Sequence, residues 1–358
     1  MLHRALQSLL GLAMVALLAG CATDVAHLGR AVSGHLSILQ ASRPVQEWID
    51  DPSTPEPLRL RLALARELRA FSVRELKLPD NASYQRYADL GRPAVLWNVV
   101  AAPELSLELK TWCYPVVGCV GYRGHFEEAR ARQEAAELRA QGWEVLVYPV
   151  TAYSTLGWTN WIGGDPLLNT FTLGSPIELA RLLFHELAHQ VAYAEGDMAF
   201  SESFATAVER LGLERWAAES ASAGVSPQQW QAWHRRQERR AELAPLIQAH
   251  REALSALYRS RMADEARRER KAALREAFQA EYRALRDGRW GGDGAFDAHV
   301  ASLNNAALAL QGSYDDAVPA FTALFEREGR DFERFYREVR RLAALDTPAR
   351  RAALGWRP

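Results

Sequence analysis

Apolar residues recur at helical spacing in the first part of the chain. Val32, Leu36 and Leu39 share one face of a helix predicted over 24–50, with a stop near Pro44. Asp51-Pro52-Ser53-Thr54-Pro55-Glu56-Pro57 reads as a loop. Leu58, Leu62, Ala65 and Leu68 line a second helix, and Pro79-Asp80-Asn81 breaks the chain again. The texture then changes to runs rich in Val, Leu and Trp. These predict a strand over 93–101 and another over 143–151, with extended chain over 112–122 turning between two cysteines. A helix of interleaved charge and Ala fills 126–140 and stops at Gly142. A loop dense in Gly, Trp, Asn and Pro follows the second strand as far as Pro166. From Ser175 the pattern is helical almost to the end, with long amphipathic helices over 228–288. Within them, Arg267-Arg268-Glu269-Arg270-Lys271 reads as a solvated helix face. The predicted class is α+β and mostly helical, with a small sheet.

The first twenty residues differ from the rest. His3 and Arg4 precede an uncharged apolar run from Leu9 to Ala19, too short to span a bilayer and suited to the core of a signal peptide. It ends in Leu18-Ala19-Gly20-Cys21, which resembles the lipobox of bacterial lipoproteins. That resemblance implies cleavage before Cys21, which removes 1–20, and a lipid on Cys21, tethering a mature chain of 21–358 to a membrane on the periplasmic side. Ala22, where Asp would hold such a protein at the inner membrane, favours the outer membrane.

Export changes the reading of the two remaining thiols. In an oxidising compartment Cys113 and Cys119, separated by a Pro and a Gly that can turn the chain, form a candidate disulfide. A thiol metal site is disfavoured because no second pair lies nearby. The balance of 43 basic and 44 acidic residues gives a net charge of -1, which provides no field to attract nucleic acid. The 48% hydrophobic content suffices for a sizeable core, and eleven Trp suit a core or a binding cleft.

His185-Glu186-Leu187-Ala188-His189 carries the candidate chemistry. Ser175 can cap a helix, Pro176 suits its first position, and Glu178 can close a capping box. Two His four apart on that helix point at one spot, where they can chelate zinc. Glu186, one step round the helix, can take a proton from water there. A catalytic zinc needs a third protein ligand. Glu202 in Phe200-Ser201-Glu202-Ser203-Phe204-Ala205 is the candidate, on a second helix predicted to end near Gly212. Ala205 is small enough for close approach, and Ala194-Glu195-Gly196-Asp197 can turn the two helices antiparallel. Strands, then a capped helix with HExxH, then a helix with Glu is the order expected of a zincin-like core, placed here over about 90–215. A helical C-terminal region occupies about 216–358.

WCYPVVGCVGYRGHF at 112–126, AYSTLGW at 152–158, DPLL at 165–168, FHELAHQ at 184–190 and SESFA at 201–205 together resemble a bacterial family of predicted aminopeptidases. These are zinc-peptidase-like lipoproteins with a gluzincin pattern. The resemblance runs along most of the mature chain. It implies one Zn2+, peptide-bond hydrolysis, the ligands His185, His189 and Glu202, and Glu186 as base. Ser201 departs from the Asn expected before the ligand Glu, although Ser can still cap a helix.

Further residues fill the remaining roles less specifically. An oxyanion needs a donor; Tyr153 is the first candidate and Tyr193 its rival. An exopeptidase must hold the substrate's free amine, for which Asp165, Glu195 and Asp197 are available. His125 reads as a satisfied structural residue. The expected partners are a peptide substrate and the membrane, with no nucleic acid. Competing readings are a non-catalytic lipoprotein scaffold with long helices as its interaction surface, and an endopeptidase acting on envelope or cell-wall peptides.

Overall fold

The computed structural model describes residues 33–356 apart from 35, 115–117, 153–159, 161–162, 220–224 and 312–316. The signal segment, Cys21 and Tyr153 therefore lie outside the described residues. In chain order the elements are β1 (Arg43–Pro44), α1 (Val45–Asp50), α2 (Glu56–Arg74), β2 (Arg86–Ala88), β3 (Leu96–Pro103), β4 (Trp112–Tyr114), β5 (Gly118–Val120), β6 (Arg123–His125), α3 (Glu128–Ala140) and β7 (Trp143–Val150). There follow β8 (Leu167–Leu168), α4 (Asn169–Thr172), α5 (Pro176–His189), α6 (Met198–Glu219), α7 (Pro227–Tyr258), α8 (Asp264–Arg289), α9 (Asp297–Ser302), α10 (Asn305–Gln311), α11 (Val318–Arg327), α12 (Phe332–Ala343) and α13 (Thr347–Leu354). The chain is α+β and mostly helical, as the pattern predicted.

The expected helix over 24–50 is not one piece. Residues 36–41 are helical, and Arg43–Pro44 then leave to pair with β2 before α1 begins. Pro44 has no N–H to continue the first helix, and its φ suits the start of the next.

The main sheet has the order β6-β3-β7 and is antiparallel throughout. β3 pairs with β7 along its whole length, from Leu96 with Val150 to Pro103 with Trp143. Val99, Val100, Ala101 and Ala102 are fully buried because both faces are covered. Ala131, Ala135 and Leu138 of α3 pack on one face, and Ala306 and Leu310 of α10 on the other. β4 and β5 form a hairpin closed by the Cys113–Cys119 disulfide. His125 on β6 binds Glu134 of α3 at 2.7 Å, a structural contact as expected.

The largest core lies elsewhere, between α2, α5, α6 and the C-terminal helices α11–α13. It draws Leu62 and Leu68 from before residue 90 and Phe321 and Phe335 from beyond 215. Phe204 of α6 sits within 5.7 Å of Phe321 and 5.8 Å of Phe335, centroid to centroid. α7 and α8 form a hairpin around a smaller cluster that includes Leu254, Phe278 and Trp290. Its charged face is only partly the solvated surface the pattern suggested. Lys271 binds the Glu144 carboxylate and the Glu104 carbonyl, and Arg268 binds Glu104 at 3.0 Å, tying the hairpin to the ends of β3 and β7. Among the described residues no helix is long and apolar enough to cross a membrane.

Candidate metal centre

α5 begins as the sequence indicates. Ser175 Oγ accepts from the Glu178 N–H at 3.2 Å, and Pro176 occupies the first turn. Only this half of the expected capping box forms. The Glu178 carboxylate turns instead to Arg181 Nε at 2.8 Å, because an ion pair on the next turn is within reach. Leu179, Leu183, Phe184 and Leu187 are buried in the surrounding core. This leaves His185, Glu186 and His189 on the side toward α6.

The start and the end of α6 both differ from expectation. Asp197 caps it, accepting from the Phe200 N–H at 3.2 Å. Ser201 does not cap; its Oγ accepts from the Ala194 N–H at 3.1 Å and donates to the Asp197 carbonyl, pinning the turn between the helices. The helix does not end near Gly212 but continues to Glu219. A Cβ at Gly212 would lie 2.8 Å from Leu76 Cδ1 and 2.9 Å from Phe184 Cδ2, so this glycine marks close helix packing.

That packing brings three ligand atoms together. His185 Nε2 lies 3.2 Å from His189 Nε2 and 3.4 Å from Glu202 Oε2, and His189 Nε2 lies 3.7 Å from Glu202 Oε1. His185, His189 and Glu202 form a group able to hold a metal ion. Two donors bound tetrahedrally at about 2.0–2.1 Å from zinc stand ~3.3 Å apart, so the donor spacing and the His-His-carboxylate chemistry both fit that ion.

Behind the ligands stands a residue that the motif did not reveal. Glu209, buried on α6, accepts from His185 Nδ1 at 3.2 Å and from Arg181 Nη1 at 3.1 Å. With its proton on Nδ1, His185 has Nε2 free to bind a metal. Glu209 follows Glu202 by seven residues, two turns along the same face. That spacing was the available signal, and periodicity does not distinguish it from a surface charge. His189 Nδ1 is buried and has no hydrogen-bond partner among the described residues.

Charges at the site are strongly coupled. Burial disfavours a His185 imidazolium, but the Glu202 and Glu209 carboxylates overcome it and raise its pKa to about 10. Burial and the neighbouring His185 push His189 down to about 4. Burial raises Glu186 to about 7, and the negative charges of Glu202 and Asp165 act in the same direction against the pull of His185. A carboxyl near 7 is suited to exchange protons at neutral pH.

The other candidates separate by position. Asp165 is buried, its N–H donates to Ser83 Oγ at 3.2 Å, and its charge acts on Glu186. Ser83 Oγ also accepts from Gln190 Nε2 at 3.2 Å, which ties this loop to the end of α5 beside His189. Asp197 is consumed by the helix cap and by a buried ion pair with Arg350 at 2.8 Å. Glu195 is exposed. Tyr193 is 47% exposed, enough for solvent to reach its phenol, and burial with the Glu202 charge raises its pKa. Tyr148 on β7 was not anticipated. Its hydroxyl accepts from Asn98 Nδ2 at 2.9 Å, and burial together with Glu202 raises its pKa.

Residues 26–354 match the family described as putative aminopeptidase. The chain belongs to this family. The match spans nearly the whole chain, so it takes in the α7–α8 hairpin and the C-terminal helices along with the HExxH helix. No curated protein and no solved structure matches the chain.

Proposed function

We propose that this member of the aminopeptidase family is a zinc-dependent peptidase, held by a lipid on Cys21 at the outer membrane and facing the periplasm. The observation that carries the reading is the convergence of His185 Nε2, His189 Nε2 and Glu202 within 3.7 Å, with Glu209 fixing the tautomer of His185. A scaffold using the fold for binding alone would need neither the Glu209 contact nor a carboxyl such as Glu186, raised to about 7 beside the ligands.

Zinc bound there would polarise the scissile carbonyl and make an attacking water more acidic. Glu186 takes a proton from that water and delivers it to the leaving amine nitrogen. Glu202, held below its usual range by its contacts with the two His despite burial, stays ionised as a ligand. Of the acidic groups considered for a substrate's free amine, Asp197 is already engaged by Arg350, which removes it from that role.

The test is elemental analysis of the mature chain beside a His185→Ala, His189→Ala variant, followed by assay of amino-acid amides and longer peptides. One zinc per chain, lost in the variant, with turnover abolished by Glu186→Gln, is expected. Absence of zinc after reconstitution would refute the reading and leave the helical scaffold. Cleavage inside blocked peptides, with none of free amino-terminal substrates, would leave the metal site standing and remove the aminopeptidase assignment.

A further inference from the structure

A second cluster of polar groups lies away from the metal centre. Arg132 and Arg139 of α3 and Arg275 of α8 line a pocket of about 440 Å³ against Val145–Val147 of β7. No carboxylate is among its lining residues. Arg132 is paired with Glu128 on its own helix, its Nε 2.7 Å from Oε1. Arg139 and Arg275 are different. Arg139 Nη2 donates to the Val145 carbonyl at 3.2 Å, and Arg275 Nη2 donates to the Ala301 carbonyl at 3.4 Å. Neither has a carboxylate partner among the described residues. A guanidinium carries five N–H donors, so each Arg keeps most of its donors and all of its charge unpaired by a carboxylate among the described residues. In a chain with nearly balanced charge, two guanidinium forks without carboxylate partners on one pocket have the chemistry to suit an oxyanion.

The backbone beside these arginines is that of an edge strand. β7 closes the order β6-β3-β7 and, among the described residues, has one bonded neighbour in that sheet. Extended peptides bind by lying along such an edge. Asn304 Nδ2 and Arg139 already occupy the Val145 carbonyl, so a peptide laid along β7 would have to end at this point. Toward the other end of the same strand, Tyr148 lies close enough to Glu202 to feel its charge.

We propose that Arg139 and Arg275 hold the C-terminal carboxylate of a short peptide lying along β7, so that this pocket selects substrates with a free carboxyl end. The peptide part rests on the peptidase reading; the oxyanion chemistry of the pocket does not. Two sources share that chemistry, a peptide carboxylate and inorganic phosphate, and one experiment separates them.

Binding of tetra-alanine, tetra-alanine amide and inorganic phosphate is measured by calorimetry on the mature Glu186→Gln chain, which prevents turnover. The free acid is expected to bind roughly fivefold or more tightly than the amide, the gain of one partly solvated ion pair. Arg139→Ala with Arg275→Ala should erase that gap while the amide binds as before. Arg275→Ala alone, on an exposed helix face, should narrow it and guards against a folding defect. Equal binding of acid and amide, or a gap that survives the double substitution, overturns the proposal. Phosphate binding that needs both arginines while acid and amide bind alike also overturns it, and assigns the pocket to a phosphate-bearing ligand. Repeating the acid–amide comparison in His185→Ala, His189→Ala separates the two readings. A gap retained without zinc supports the pocket whatever becomes of the peptidase assignment.

Discussion

Glu209→Gln probes the metal centre without touching a ligand. In the native chain one carboxylate oxygen accepts from both His185 Nδ1 and Arg181 Nη1, on a side chain that is almost wholly buried. Glutamine is nearly isosteric and its carbonyl can still accept from Nδ1, so the ring keeps a partner. The charge is lost, and the amide NH2 faces either the imidazole or the guanidinium. A hydrogen bond to a charged group contributes about 1.5–3 kcal/mol. Removing such an outer partner lowers metal affinity by about 10–100-fold, or ~1.4–2.7 kcal/mol, so the two figures agree. Arg181 keeps Glu178 at 2.8 Å, which limits the folding cost. The assay is competition for zinc against a chromophoric chelator at neutral pH, with circular dichroism to confirm the fold. A rise in the zinc dissociation constant within that range is expected, and Glu209→Ala should exceed it. An unchanged zinc affinity in a folded Glu209→Gln chain would refute the idea that Glu209 acts through His185.

Glu186→Gln should retain zinc yet lose about 10²–10⁴-fold in kcat, measured on the best amide substrate, since proton transfer alone is removed. Arg350→Ala strands the Asp197 carboxylate, buried with it in a 2.8 Å pair, and should cost about 3–5 kcal/mol in urea unfolding. Gly212→Ala forces its methyl against Leu76 and Phe184 at under 3 Å and should cost about 1–3 kcal/mol by the same measurement. The metal-free chain should lose thermal stability as pH rises from neutrality. The His185 pKa is raised from 6.5 to about 10, so its contribution is complete below 6.5 and disappears as pH climbs through about 10. A metal-free His185→Ala chain should show a flatter profile over that interval.

Where the sequence succeeded, the determinants were local. Ser175 and Pro176 announce the start of α5 through groups no more than three residues apart. The four-residue step from His185 to His189 places both imidazoles on one face in any helix. Runs rich in Val, Leu and Trp announced β3 and β7, and a six-residue step with Pro and Gly announced the disulfide. The misreadings arose where one residue type serves two purposes. Gly212 reads as a helix end and is a packing contact; Ser201 reads as a cap and ties down a turn.

The sequence alone therefore determined the α+β class, the HExxH helix and the residues able to bind a metal, because periodicity and capping act within a turn or two of the chain. The tertiary structure alone decided how charged groups pair. Arg350 reaches Asp197 across 153 residues, Glu209 reaches His185 across 24, and Arg139 and Arg275 meet at one pocket from different helices. A carboxylate or guanidinium looks the same in sequence whether it faces water or a buried partner. Its partner is set by which helices pack together, and that depends on the whole core.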